Sequence, residues 1–371
     1  MRAGWHIKTI GEVCDVVNGG TPKTGVTEYW DGPHQWITPA EMGKRSTPYI
    51  QETGRTITDL GLQNSSATPL PVYSVILSSR APIGHLVINT APMATNQGCK
   101  GLVPSKQVEY KFLYHYLSSI IDLLNDLGTG STFKELSGGK LKEVKIPVPP
   151  LPEQQRIVGI LDEAFEGITT AKDNAEKNLQ NARALFESHL QALFSQRGDG
   201  WKRTIVGDQI ALQRGFDITK NAQIEGDVPV VSSGGIKSFH DKAMAQAPGV
   251  VIGRKGTLGK VFYLETDFWP HDTTLWIKDF KGNNPRFVYY FFIGLDVKHL
   301  DSGTANPALN RNLVHPIEVN WPPVSKQGAI VETLDALSGE TQRLESIYQQ
   351  KLAALDALKK SLLDKAFTGE L

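Results

Sequence analysis

Cysteine is nearly missing from this chain: Cys14 and Cys99 are the only two in 371 residues. Two thiols so far apart supply neither a disulfide framework nor a thiolate zinc site, so buried free thiols are expected. Long hydrophobic runs are missing too, and no apolar stretch approaches the ~20 residues that span a bilayer. The opening, MRAGWHIKTIGEVCDVV, has neither an apolar core nor a small-residue cleavage site, and is read as mature sequence of a cytoplasmic protein. Net charge is also absent, with 39 Lys and Arg against 39 Asp and Glu and a pI of about 7.1. That balance supplies no broad field for nucleic acid. It conceals a split, however. Residues 1–150 and 200–323 each carry 14 basic against 12 acidic residues, whereas 151–199 carry 5 against 8 and 324–371 carry 6 against 7. The small excess permits a phosphate-facing surface on each of the two larger segments.

Catalytic motifs are lacking as well. The stretch GRKGTLGKV has one residue too many between Gly253 and Gly259 for a nucleotide-binding loop, and Val261 stands where the hydroxyl belongs. No dinucleotide glycine fingerprint follows a strand, and no G-x-S-x-G elbow supports a serine triad. An adenine methyltransferase needs Asn/Asp-Pro-Pro-aromatic, a spacing that Trp321 breaks in NWPPV. A nuclease assembled from Asp126, Glu143 and Lys145 is opposed by Pro316 and Glu318 at the repeated positions. The chain is expected to bind and position, without a catalytic site or a metal of its own.

What the chain does have is a repeat. PVPPLPEQQRIVGILDEAF at 147–165 returns as NWPPVSKQGAIVETLDAL at 320–337. At an offset of 173 residues Pro149 pairs with Pro322, Gln154 with Gln327, Leu161 with Leu334, Asp162 with Asp335, Leu185 with Leu358 and Phe194 with Phe367. Weaker matches continue upstream: SSRAPIGHLV resembles GRKGTLGKVF, and YKFLYHYL resembles PRFVYYFF. The chain is a duplication of one unit, a globular part followed by a helix.

Both helices show a coiled-coil seam. In the second copy it runs through Ile330, Leu334, Leu337, Thr341, Leu344, Tyr348, Leu355, Leu358 and Leu362; in the first, through Ile157, Leu161, Ala164, Ile168, Ala171, Ala175 and Ala182. The proline run suits an abrupt strand exit and a helix start, with Ser325 as the expected cap of the second. The globular parts read as mixed α and β, with strands in PVYSVILSS, HLVI, GVVIG and KVFYLE and one helix over 110–127. The expected fold class is α+β: two mixed α/β globular parts at opposite ends of an antiparallel two-helix coiled coil, related by a pseudo-twofold from the internal duplication. Boundaries fall at 1–150, 151–197, 198–323 and 324–371.

These motifs, in this order and doubled, resemble the specificity subunit of type I restriction–modification systems. NGGTPKTGVTEYWDGPHQWITPAEM, ATNQGCKGL and GTGSTFKELSGGKLKEVKIPVPPLPEQQRIV carry the likeness in the first half; VPVVSSGGIKSFH, GVVIGRKGTLGKVFY and WPHDTTLW carry it in the second. The resemblance implies two target-recognition domains reading a bipartite, asymmetric site in double-stranded DNA. It implies helical regions that set the spacer and dock two methyltransferase subunits, with two restriction/translocase subunits joining in some complexes. S-adenosylmethionine, ATP and magnesium would then belong to those partners, with no cofactor held by this chain and no membrane involved. SKQGAIV departs from the first copy's Glu-Gln-Gln, so the two docking faces need not be equal. A self-contained DNA-modifying enzyme and a coiled-coil protein without a DNA role are the alternatives.

Base readout needs forked donors and amides, and phosphate contact needs hydroxyls and cations. Thr21, Lys23 and Thr24 sit in a Gly-rich loop that suits a phosphate or a plain turn. Arg80 is a candidate base reader; Asn96 and Gln97 are either readers or turn-formers. Ser131, Thr132 and Lys134 lie on a Gly-rich segment. In the second half the candidates are Ser232 and Ser233, Arg254 and Lys255, and the pair His271 and Asp272, either a contact pair or a buried structural one.

Overall fold

The computed structural model describes residues 4–130, 134–195, 198–295 and 308–371. It divides into two compact units, one gathering Met1–Asp173 with Leu352–Leu371 and the other Asn174–Lys351.

In the first unit a five-stranded sheet runs in the order Cys14–Asn18, Cys99–Pro104, Val75–Ser79, Ile83–Asn89, Tyr49–Ile50. A three-stranded sheet places Trp30–Ile37 between Thr56–Ile57 and a parallel neighbour, Met93–Thr95. The strand Val75–Ser79 is buried at every residue, as befits the centre of a sheet covered on both faces. The expected helix over 110–127 is two helices, Tyr110–Ser119 and Ile121–Leu127, because Ile120 leaves helical geometry at φ −112°, ψ 21°. Phe112, Leu113 and Leu117 from the first of these reach the core, so the aromatic run is packing rather than a base-stacking platform.

The second unit repeats the plan. Ala211–Arg214, Thr274–Asp279, Gly249–Gly253 and Val261–Leu264 form a four-stranded antiparallel sheet, and Val228–Ser232 lies between Gly235–His240 and the parallel Trp269–Pro270. Pro285–Gly294 supplies Phe287, Val288, Phe291 and Phe292 to its core. In each unit a last two-stranded ribbon leads into the proline run: His6–Thr9 with Lys145–Val148, and Lys202–Ile205 with Glu318–Trp321.

The two long helices, Leu151–Ser195 and Val324–Thr368, have 45 residues each, about 67 Å at ~1.5 Å per residue. Pro152 sits at the second helical position, where its missing N–H leaves no bond unmade. The second helix begins at Val324, so Ser325 lies inside it and is not its cap; the Pro323 carbonyl starts the hydrogen bonding by accepting from Lys326 N. Within the first unit the helix segments run antiparallel, with Lys172 paired to Asp356 and Arg156 donating to the Leu371 carbonyl. Within the second they do so again, Arg183 pairing with Glu345 while Leu190 packs with Leu334. The seam holds at Ile157, Leu161, Ile168, Ala175, Ala182, Leu334 and Thr341, all buried. Leu358 departs from expectation at 47% exposed. A 3.6-residue turn drifts against a strict seven-residue pattern, and the buried stripe has moved to Leu363 and Ala366 by the helix end. Both cysteines are free and buried, and burial pushes their thiols up to about 12, which keeps them unreactive.

Candidate nucleic-acid interface

The candidate residues gather where a glycine turn crosses the loop between two sheets. In the first unit the turn after Asn18 lies against Thr95–Cys99, with Gly19 N donating to Cys99 O at 3.2 Å and Gly20 N to Thr95 O at 2.8 Å. Only glycine fits at 19, since a Cβ there would lie 2.0 Å from the Asn96 carbonyl oxygen. The crossing brings Thr21 to Asn96, whose Nδ2 donates to Thr21 Oγ1 at 2.9 Å while its Oδ1 accepts from Gly98 N at 2.8 Å. Asn96 is therefore a turn-former whose amide also fixes Thr21. Arg80 leaves the end of a central strand beside this loop, where Ser79 N donates to Gly98 O at 2.7 Å. Its side chain is 35% exposed, and its guanidinium lies 3.9 Å from the Glu135 carboxylate. Lys100, buried behind the loop, has its pKa lowered by desolvation, against the pull of Glu135.

The second unit rebuilds the same crossing with other side chains. Gly215 N donates to Thr274 O at 3.0 Å and Phe216 N to Pro270 O at 2.8 Å; a Cβ at Gly215 would lie 2.1 Å from the His271 carbonyl oxygen. His271 takes the place of Asn96, its Nδ1 accepting from Thr273 N at 3.4 Å, and Asp217 takes the place of Thr21. Arg254 N donates to Thr273 O at 2.9 Å, as Ser79 N does to Gly98 O, so Lys255 is the counterpart of Arg80. Paired bridges agree: Arg80 with Glu135, Lys255 with Ala308. Asp272 pairs with Arg214 at 2.9 Å, and its carbonyl accepts from Arg254 Nη1 at 3.4 Å. Burial and then the nearby Arg214 lower the Arg254 pKa, with Asp272 opposing. His271 is buried, 3.0 Å from Asp272 Oδ1, and thus belongs to the loop's own framework. Asp217, His271 and Asp272 hold ligand-type atoms within 4.8 Å of one another. His271 Nδ1, which accepts from Thr273 N, and Asp272 Oδ2, which accepts from Arg214, already have protein partners there.

The remaining candidates are more scattered. Lys23 and Thr24 are exposed on a turn whose Lys23 carbonyl accepts from Trp30 Nε1 at 3.3 Å. Gln97 is exposed on the Asn96 loop, and Lys134 is exposed beside Glu135. Ser131 and Thr132 lie outside the described residues. Ser232 closes a turn by donating to Gly235 O at 3.0 Å, while Ser233 N donates to Thr273 Oγ1 at 3.3 Å. Arg214 and Asp217 escaped the reading of the sequence. The signal that finds them is in the sequence: the offset that pairs Trp5 with Trp201 and Gly11 with Gly207 also pairs Gly19 with Gly215, Asn18 with Arg214 and Thr21 with Asp217.

A duplicated α+β recognition fold, each copy carrying a polar loop crossing and joined to paired long helices, has no catalytic constellation among the described residues. The chain matches the family described as the type I restriction modification DNA specificity domain over residues 2–179 and again over 199–353. The chain belongs to that family. It is 36% identical over 186 residues to the MjaIX specificity subunit of Methanocaldococcus jannaschii, covering 50% of this chain and 43% of that one. Against the EcoR124I/EcoR124II specificity subunit of Escherichia coli it is 31% identical over 196 residues, 51% of this chain and 48% of that one. The chain thus spans about half the length of these two curated relatives. Against the EcoprrI specificity subunit of Escherichia coli the match is 24% over 92% of this chain and 90% of that one. Two solved structures share the fold. One comes from work on complex assembly and conformational transition of the type I R-M system, with a TM-score of 0.85 at 18% identity over 100% of this chain and 99% of that one. The other is the HsdS subunit of Thermoanaerobacter tengcongensis, with a TM-score of 0.62 at 16% identity over 100% and 98%. No helix among the described residues is long and apolar enough to cross a membrane.

Proposed function

We propose that the chain reads a bipartite, asymmetric site in double-stranded DNA, one half-site per globular part, and scaffolds the subunits that act on it. The target-recognition domains are residues 1–150 and 198–323; the helical regions 151–197 and 324–371 set the spacer and dock two methyltransferase subunits. Restriction/translocase subunits join that core, and S-adenosylmethionine, ATP and magnesium are held by the partners. The site of action is chromosomal and invading DNA in the cytoplasm.

The observation that carries this reading is the loop crossing built twice on one backbone plan with different side chains. On a loop framework held by Asn96 in one copy and by His271 in the other, Thr21 and Arg80 of the first are replaced by Asp217 and Lys255 of the second. A duplicated frame supplies equivalent placement on two half-sites, and the changed donors and acceptors supply two different sequences. The exposed cations Lys23, Lys134 and Lys255 suit phosphate contact.

A single-molecule methylome of the native host, with and without the gene, tests the proposal. Loss of methyladenine at one two-part motif is the expected result. An unchanged methylome in cells that express the chain overturns it.

A further inference from the structure

The junction between globular part and helix is built twice from the same groups. In the first unit Gln154, fully buried on the first helical turn, has its amide saturated. Its Oε1 accepts from Glu109 N at 2.8 Å, and its Nε2 donates to Gln107 O at 2.9 Å and Pro149 O at 2.8 Å. Pro149 lies in the proline run, and Glu109 caps the helix Tyr110–Ser119. One side chain therefore ties together the long helix, the proline run and the domain's own helix.

In the second unit Gln327 is equally buried. Its Oε1 accepts from Asn284 N at 2.7 Å, and its Nε2 donates to Asn283 Oδ1 at 2.6 Å and Pro322 O at 3.3 Å. Asn284 caps the equivalent domain helix, Pro285–Gly294.

Eight residues further along each long helix, an aspartate grips that same domain helix. Asp162 accepts from Lys111 at 2.7 Å and lies 2.9 Å from His115 Nε2. Asp335 accepts from Arg286 Nε at 2.9 Å and from the Tyr290 hydroxyl. Glutamine and aspartate are about 12 Å apart along the helix axis. One attachment point leaves a pivot; two at that separation fix a direction. Apolar packing alone tolerates small rotations, whereas directional buried hydrogen bonds select a single arrangement.

We propose that Gln154 with Asp162, and Gln327 with Asp335, are positioning residues that fix the angle between each domain and its helix and so restrict the DNA spacer to one length. This rests on the DNA-reading role proposed above. These residues bond the domain to its helix, and through that angle they set which sites count as targets.

The test uses the full chain, expressed with its methyltransferase in a host lacking the native gene, with that host's chromosomal DNA as the probe. Gln154→Met and Gln327→Met keep the side-chain volume and remove the directional bonds; Asp162→Asn and Asp335→Asn loosen the second point from its more exposed side. Both half-sites are expected to persist, while the methylated fraction at spacers one base pair longer or shorter rises at least tenfold. If the methionine variants do not accumulate, the asparagine variants decide. Methylation confined to the original spacer in all accumulating variants, at full or uniformly reduced level, overturns the positioning role, as do altered half-sites. A wild-type chain that marks no two-part motif overturns the underlying DNA-reading proposal instead.

Discussion

At the scale of single residues, the close approach of Gly19 and Gly215 to the opposing carbonyls shows what a lone sequence yields. A glycine-rich stretch announces a turn; that two such turns cross equivalent loops is a tertiary fact. For the same reason Asn96 and His271 were legible as polar loop residues, but their equivalence was not. His115 carries a prediction. Burial holds its imidazole below the ordinary value of 6.5, against the opposing pull of Asp162, while Lys111 and Lys359 add to the lowering. The unfolded chain therefore takes up the proton first as pH falls. The stability due to the neutral imidazole is complete above about pH 6.5 and is lost as pH falls towards the lower folded value. Calorimetry is expected to show a lower Tm at pH 5 than at pH 7.5, and His115→Gln is expected to lessen that drop. A Tm that rises towards pH 5 would mean that the ion pair with Asp162 outweighs burial.

At the scale of elements, the long helices were the most legible part, because a heptad pattern over 40 residues is a local signal repeated many times. Leu358 marks its limit: a leucine on a helix reads as seam until the real turn angle is known. The break at Ile120 was illegible for a different reason, since nothing in IIDLL disfavours helix and tertiary packing decides the bend. Helix energetics give another expectation. Gly167 and Gly339 lie within the long helices with open space where a Cβ would stand. Gly167→Ala and Gly339→Ala are each expected to stabilise the chain by about 0.8–1 kcal/mol, read as a rise in Tm. A fall would mean that those positions have neighbours a Cβ disturbs.

At the scale of the molecule, the α+β class and the duplication were readable from the repeat, while the sheet order was not. Strand pairing joins residues distant in sequence, such as Cys14 with Pro104, and no local pattern specifies it. The ruler role makes its own prediction here. Removing seven residues from both helices shortens each by about 10 Å, and the methylome is expected to show both half-sites unchanged at a shorter spacer. Altered half-sites with the old spacer would sink the ruler.

The make-up of the first unit also has a consequence for how the protein is made. Its core takes Leu363 and Ala366 from the last turns of the second helix, whereas the second unit is one uninterrupted stretch, Asn174–Lys351. On the ribosome the half that emerges first is thus completed last. It waits on the order of ten seconds or more while the other half is synthesised, with the apolar face meant for that helix open to water. A chaperone acting on the nascent chain would meet the amino-terminal half in this waiting state, and a chain that stops before Leu352 would strand the first unit while sparing the second.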